Sequence, residues 1–163
     1  MIVIAIFIAL LLDWLIGDPY SWPHPVKLIG NFIYTYLKLE NLKSTFPFLF
    51  GTLLWLSTVS LTVSITYGML WASQLHPILY WVVWIYLAYT CLATRSLAFE
   101  ALKVYKAVQS GSIENARYQV GMIVGRETNH LSIPEICNAT IETVAENASD
   151  GVIGPLLCLF LGG

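Results

Sequence analysis

The sequence predicts an all-α, multipass transmembrane helical protein with a cytoplasmic segment of amphipathic helices, and three observations lead there. Of its 163 residues, 57% are hydrophobic and 11% charged, against about 45–50% and 25% in an ordinary soluble domain. No Asp, Glu, Lys or Arg occurs between Lys43 and Arg95, a stretch too long for one bilayer crossing and suited to two. Helix caps then punctuate the more polar part that follows. A mean hydropathy of +0.70 means that the polar side chains cannot cover the apolar ones, so lipid or a large partner must. The net charge of −2 supplies no basic field, which excludes nucleic acid as a partner.

Residues 1–97 are read as a membrane segment with spans at about 2–16, 46–70 and 78–97. The first run is apolar until Asp13 and ends at Gly17-Asp18-Pro19. It lacks the basic start and small-residue cleavage site of a secretory signal, so a short or tilted span or a re-entrant segment fits. Asp13 there costs about 2.5–3.5 kcal/mol at mid-bilayer and should face protein, water or ligand. Residues 46–70 would run about 37 Å as a helix, enough to cross. Ser73, Gln74, His76 and Pro77 break the chain, and residues 78–97 return with Tyr80, Trp81, Trp84, Tyr86 and Tyr89 as interfacial aromatics. A soluble reading would need two buried helices without a polar face. If the first segment spans, loop 17–45 and segment 95–150 share one side, and between them they hold every Lys and Arg of the chain. That side is then cytoplasmic, in a cytoplasmic-membrane protein.

Residues 98–150 are read as the cytoplasmic helical segment. Leu97, Ala101, Leu102, Tyr105 and Val108 recur at helical spacing over 95–109, and Ser110-Gly111-Ser112 ends that helix. Ser112 caps a helix over 113–124, helped by Glu114 in its first turn. Gly121-x-x-x-Gly125 reads either as helix punctuation or as a close-packing motif. Ser132-Ile-Pro-Glu135 has the capping-box form and opens a helix over 133–148, which Asp150-Gly151 closes. Residues 151–163 begin a further apolar element, too short to span and expected to continue beyond the chain given. Cys91, Cys137 and Cys158 show neither disulfide nor zinc spacing, and the two in apolar runs read as inert buried thiols. The sequons at Asn138 and Asn147 fall in a predicted helix and read as chance.

Two polar clusters are candidates for chemistry. Glu142, Glu146 and Asp150 lie four residues apart, so a helix places all three on one face. Like charges so placed oppose the helix by a few tenths of a kcal/mol each in water. The opposition grows to about 2–3 kcal/mol per pair at roughly 6 Å if the effective dielectric falls to about 20. A bound cation or cationic substrate relieves it; a solvated helix face is the other reading. Ala139, Ile141, Val144 and Ala145 leave only a narrow polar stripe, with Asn147 on it and Arg126 and Glu127 upstream. Oxygen ligands of this kind suit Mg²⁺, which takes few carboxylates plus substrate phosphates, and Arg126 and Arg95 could clamp a phosphate or carboxylate. His130 reads as a surface residue. The second cluster is Asp13, Asp18 and His24, in a loop stiffened by three prolines and a glycine. It reads equally as a preorganised site and as a surface turn with Asp18 capping a helix. Phosphate-loop, dinucleotide-binding, nucleophile-elbow and zinc-protease motifs are absent.

Three blocks carry a resemblance: Leu12-Asp-Trp-Leu-Ile-Gly-Asp-Pro19 running on through Pro23-His24-Pro25-Val26 to Ile29-Gly30, then Ile123-Val-Gly-Arg-Glu-Thr128, then Ile141-Glu-Thr-Val-Ala-Glu-Asn-Ala-Ser-Asp-Gly-Val-Ile-Gly-Pro155. With the matching hydropathy they cover nearly the whole chain, which resembles the N-terminal part of the adenosylcobinamide-phosphate synthase (CobD/CbiB) family of cobalamin biosynthesis. Glu127 departs from the Asp that commonly follows Gly-Arg in that family, and family members run on through further membrane segments. The resemblance implies a multipass enzyme joining the corrinoid adenosylcobyric acid to aminopropanol or its phosphate by an ATP-dependent amide bond. By that likeness Glu142, Glu146, Asp150 and Arg126 are catalytic. The first three hold Mg²⁺, and Asp13, Asp18, His24, Arg95 and Asn147 bind substrate. Mg²⁺ and ATP are the implied cofactors, and a second copy or other cobalamin-pathway enzymes the implied protein partners. Two other readings are a non-catalytic regulator or sensor of the same fold, as in the AmpE-type proteins, and a transporter subunit using Asp13 and the acidic stripe as an ion path.

Overall fold

The computed structural model describes residues 1–19, 25–38 and 46–162. Every regular element among them is helical: α1 (Ile2–Ile16), α2 (Pro25–Leu37), α3 (Pro47–Ser73), α4 (Pro77–Thr90), α5 (Thr94–Gln109), α6 (Ile113–Gly121), α7 (Ile133–Ala148), a π-helical turn (Ser149–Ile153) and α8 (Gly154–Gly162). Three helical stretches, Pro47–Ser73, Pro77–Gln109 and Ile133–Gly162, are long and apolar enough to cross a membrane, and Ile2–Ile16 is a shorter apolar helix. The chain divides into two compact units, Tyr20–Thr90 and the pair of segments Met1–Pro19 with Cys91–Gly163.

In the first unit α2 packs on α3 and α3 on α4. Pro47 starts α3 at a position that needs no N–H. Apolar side chains cover α3 on all sides, and Trp55, Val63, Tyr67 and Trp71 are each at least 60% exposed; a helix without a polar face belongs against lipid or protein. Several of its hydroxyls turn inward onto the helix backbone. Thr58 Oγ1 donates to the Leu54 carbonyl at 2.7 Å and Thr62 Oγ1 to that of Thr58 at 2.8 Å, which satisfies them without water. The turn after Ser73 falls where the breakers predicted it, with Pro77 opening α4. Helix α2 was not foreseen: it lies within the stretch read as loop 17–45. Its sequence is amphipathic, and the Tyr36 ring meets Phe50 of α3 at 5.1 Å between centroids.

In the second unit α5, α6 and α7 enclose a small core of Val104, Ala107, Ala116, Val120, Leu131, Ile136 and Ala139. Each fully buried Val or Ile there contributes about 1.5–3 kcal/mol. The predicted caps form. Ser112 Oγ accepts the Asn115 N–H at 3.3 Å. The Glu135 carboxylate takes both the Ser132 N–H (2.7 Å) and its hydroxyl (2.6 Å), closing the capping box of α7. Arg117 and Thr128 secure the connection before α7. Arg117 Nε donates to the Leu131 carbonyl at 2.8 Å, and Thr128 Oγ1 to the Arg117 carbonyl at 3.0 Å. Gly121 both ends α6 and allows close approach, since a Cβ there would lie 2.8 Å from Thr128 Oγ1.

Several boundaries differ from expectation. The helix predicted over 78–97 stops at Thr90, and Arg95 belongs to α5. Asp150-Gly151 does not close α7, because the chain runs through the π-turn into α8. All three cysteines are free and exposed rather than buried.

Candidate functional site

The end of α1, the start of α5 and the π-turn meet at one helix terminus. Ala93 occupies the N-cap position of α5 and has no side chain able to cap it, so the first amides of that helix need acceptors from elsewhere. Asp13, on α1, supplies one: its Oδ2 accepts the Thr94 N–H at 2.8 Å. Asp18 Oδ2 accepts the Ser96 hydroxyl at 3.0 Å. Two carboxylates at the positive end of a helix are electrostatically well placed. The relation is reciprocal, because Arg95 Nη1 donates to the carbonyls of Trp14 (3.2 Å) and Leu15 at the C-terminal end of α1. A cation at that negative end completes the exchange.

The π-turn joins through its backbone. Pro155 has no N–H, so the carbonyl of Gly151, four residues earlier, loses its α-helical donor. The Ala93 N–H donates to that carbonyl at 3.1 Å. The Gly154 N–H reaches back to the Ser149 carbonyl, five residues away, which makes the turn a π-turn. A Cβ on Gly154 would stand 3.2 Å from the same oxygen, so glycine suits the crowded turn. Insertions of this kind often occur at functional sites.

Asp13 is wholly buried and faces backbone, an arrangement that holds protein together rather than meeting a substrate. Its Oδ1 and the Thr94 hydroxyl have no hydrogen-bond partner among the described residues. Arg95 likewise gives its guanidinium to carbonyls rather than standing as an anion clamp. His24 lies outside the described residues. Asn147 donates its amide to the Thr143 carbonyl one turn back at 2.9 Å.

Glu142, Glu146 and Asp150 are all exposed. Arg126 Nη2 pairs with Glu142 Oε2 at 3.1 Å, both side chains being more than half exposed. Glu146 and Asp150 make no side-chain hydrogen bond or ion pair among the described residues. The three-carboxylate metal cage expected of this stripe is not formed: among the described residues no group of three or more His, Cys, Asp or Glu could hold a metal ion. Glu142 is paired with Arg126, and the chain leaves the α-helix for the π-turn at Ser149, so the i, i+4 spacing is not carried by one regular α-helix through Asp150. Arg126 also lines an open cleft of about 490 Å³ with Glu127, His130, Leu131, Glu135 and Asn138. Sequence reasoning missed Thr94 and Ser96, whose partners lie some 80 residues away, and it missed the π-turn, for which Pro155 was the available signal.

The described residues define a helical protein with three stretches long and apolar enough to cross a membrane and with a polar junction built at helix ends. The chain belongs to the CobD/Cbib protein family, whose profile matches residues 6–163. It is 65% identical over its whole length to a protein named cobalamin biosynthesis protein CobD from Streptococcus sanguinis (strain SK36), covering 52% of that protein. Identity is 48% over 94% of the chain to the protein of that name from Listeria monocytogenes serovar 1/2a, covering 50% of it. It is 41% over the whole chain to the one from Citrobacter koseri, covering 52% of it. The chain thus spans about half the length of the curated relatives it matches. No solved structure matches it. The family and the names of these relatives support a role in cobalamin biosynthesis.

Proposed function

We propose that this chain forms the N-terminal half of a cytoplasmic-membrane amide ligase that joins adenosylcobyric acid to aminopropanol or its phosphate at the expense of ATP. The family match over residues 6–163 carries the reading. Support for the site comes from two acids, Glu146 and Asp150, that the fold leaves exposed and uncommitted at the end of α7.

An acid and an amine do not condense at neutral pH, since the carboxylate is a poor acyl donor and the amine is protonated. The carboxylate oxygen of the corrinoid attacks the γ-phosphorus of ATP, releasing ADP and leaving an acyl phosphate. The deprotonated amine then attacks the acyl carbon, expels inorganic phosphate and gives the amide, with its surplus proton passing to a base. Arg126 is the residue for the negative charge that develops on the transferred phosphoryl group. Glu146 and Asp150 suit the ammonium group of the amino alcohol and the removal of its proton. The described acids do not fit a resident metal cage, so no step is assigned to one. Magnesium enters as the counter-ion of ATP, with substrate phosphates as its main ligands. The Lys- and Arg-bearing side of the helices is the cytoplasmic one, where ATP is found.

The test uses the intact protein in detergent or nanodiscs, supplied with adenosylcobyric acid, the amino alcohol or its phosphate, and Mg·ATP. Mass spectrometry should find the amide with ADP released in step, and Glu146→Gln should abolish product while leaving the circular dichroism unchanged. Amide formation without ATP, or an active Glu146→Gln variant, contradicts the proposal. Flux of an ion or solute across proteoliposomes without amide formation assigns the protein to transport instead.

A further inference from the structure

We propose that Asp13 is a positioning residue, which sets the register of the π-turn bearing Asp150 through the first turn of α5. The inference rests on the reading above only where it concerns catalysis; its structural half stands alone. Asp13 is wholly buried and its Oδ2 accepts the Thr94 N–H at 2.8 Å. The residue before, Ala93, donates its own N–H to the Gly151 carbonyl at 3.1 Å. Two consecutive amides of one helix start are therefore held from opposite sides, one by α1 and one by the turn that carries Asp150. Neither acceptor is local in sequence, so the start of α5 has no cap of its own to fall back on.

The residue types argue the same way. Pro155 denies the Gly151 carbonyl its α-helical donor, so the Ala93 amide fills a vacated role rather than competing for an occupied one. Gly17 carries no Cβ, which leaves room for the Arg95 side chain to lie over it and reach the α1 carbonyls. A Cβ on Gly151 would lie 3.5 Å from that of Ala93, so the backbone of the turn runs beside residue 93 where the amide bond is made. Loss of Asp13 frees the Thr94 amide, frays the first turn of α5, loosens the Ala93–Gly151 bond and lets Asp150 drift, without removing any exposed acid.

The experiment compares Asp13→Ala, Asp13→Asn and the double variant Asp13→Ala with Ala93→Ser in the intact protein, by steady-state kinetics and amide hydrogen exchange. Asp13→Ala should lower kcat by about 10–100-fold, the range that a misplacement near 1 Å produces, with KM for both substrates within about threefold. Exchange at Thr94 and Ala93 should quicken by about 5–10-fold, the weight of a lost cap. Asparagine keeps a carbonyl oxygen and caps about as well as aspartate, so Asp13→Asn should recover most of kcat and both protections. In the double variant a serine at the N-cap can accept the Arg95 or Ser96 amide; it should regain thermal stability but neither protection at Thr94 nor kcat, because the tie to α1 is still missing. An unchanged kcat in Asp13→Ala overturns the proposal, as does recovery of kcat in the double variant or inactivity of Asp13→Asn equal to that of the alanine variant. Should the wild-type protein form no amide, the function fails on its own. Exchange then decides the structural half: faster exchange at both amides in Asp13→Ala supports it, and faster exchange at Thr94 alone refutes it.

Discussion

Gly17→Ala attacks the junction at its tightest point. Gly17 follows α1 with φ 64° and ψ −156°, a region open almost only to glycine, and an L-residue forced there loses about 1–3 kcal/mol. A second cost comes from Arg95. The new Cβ would stand 2.9 Å from Arg95 Cδ, 3.1 Å from Cγ and 3.2 Å from Cβ. Contacts along the root of the side chain cannot be relieved by moving its tip, so the guanidinium must leave the Trp14 and Leu15 carbonyls. Forfeiting a cation at a helix C-terminus costs a further ~0.3–1 kcal/mol, which brings the total to about 1.3–4 kcal/mol. Two other glycines separate the causes. Gly111 has φ 77° with nothing within 4 Å of a Cβ, so Gly111→Ala carries backbone strain alone. Gly68 lies inside α3 in open space, and Gly68→Ala should be neutral or stabilising by up to ~1 kcal/mol. Denaturant unfolding in detergent micelles, followed by circular dichroism, should rank Gly17→Ala as most damaging, then Gly111→Ala, then Gly68→Ala. In an Arg95→Ala background the penalty of Gly17→Ala should shrink to its backbone part. Equal penalties with and without Arg95 would refute the contact argument, and a Gly17→Ala variant as stable as Gly68→Ala would refute the whole account of the junction.

Three other substitutions probe separate parts. Arg126→Ala should change stability by no more than about 0.5 kcal/mol, because its pair with Glu142 is solvent-exposed, yet lower kcat/KM at least about 100-fold by loss of phosphoryl-charge stabilisation; parallel unfolding and rate measurements check both. Gly121→Ala drives a methyl to 2.8 Å from Thr128 Oγ1 and should cost about 1–3 kcal/mol by overpacking, read as a lowered unfolding midpoint. Pro155→Ala returns an α-helical donor to the Gly151 carbonyl and should speed exchange of the Ala93 amide about fivefold, by the weight of one hydrogen bond; unaltered exchange would show that the proline does not govern that contact.

What could be read in advance was what local spacing encodes. The hydroxyl of Ser112, the Ser132–Glu135 box, the breakers between Ser73 and Pro77 and the amphipathic run of α5 all act within a few residues of themselves. Each was found where expected. The break at 91–93 was not, because Cys91-Leu92-Ala93 contains neither proline nor glycine. Helix α5 starts at Thr94 because an aspartate 81 positions earlier accepts its amide, and no periodicity records that. Helix α2 escaped notice because its flanking prolines suggested a loop, although Pro25 is a good first residue for a helix. The acidic stripe was aligned on the premise of one continuous α-helix. Pro155 and its effect on Gly151 set the premise aside, and with it the metal cage.

The junction also decides which acids are left for chemistry. An apolar setting offers helix ends no water, so the carbonyls closing α1 and the amides opening α5 must find partners in protein. Asp13 and Arg95 supply them, with Asp18 accepting the Ser96 hydroxyl beside them, and that use accounts for charged residues flanking an otherwise apolar helix. Asp13 of the first motif block is thereby committed to backbone. No comparable use exists on the far side of α7. Glu142 has only an exposed arginine, while Glu146 and Asp150 are exposed and bind nothing among the described residues. Exposed acids that make no bond within the fold are the ones to test first against substrate. The Asp13–Thr94 and Ala93–Gly151 bonds are where we propose that the alignment of Asp150 is set.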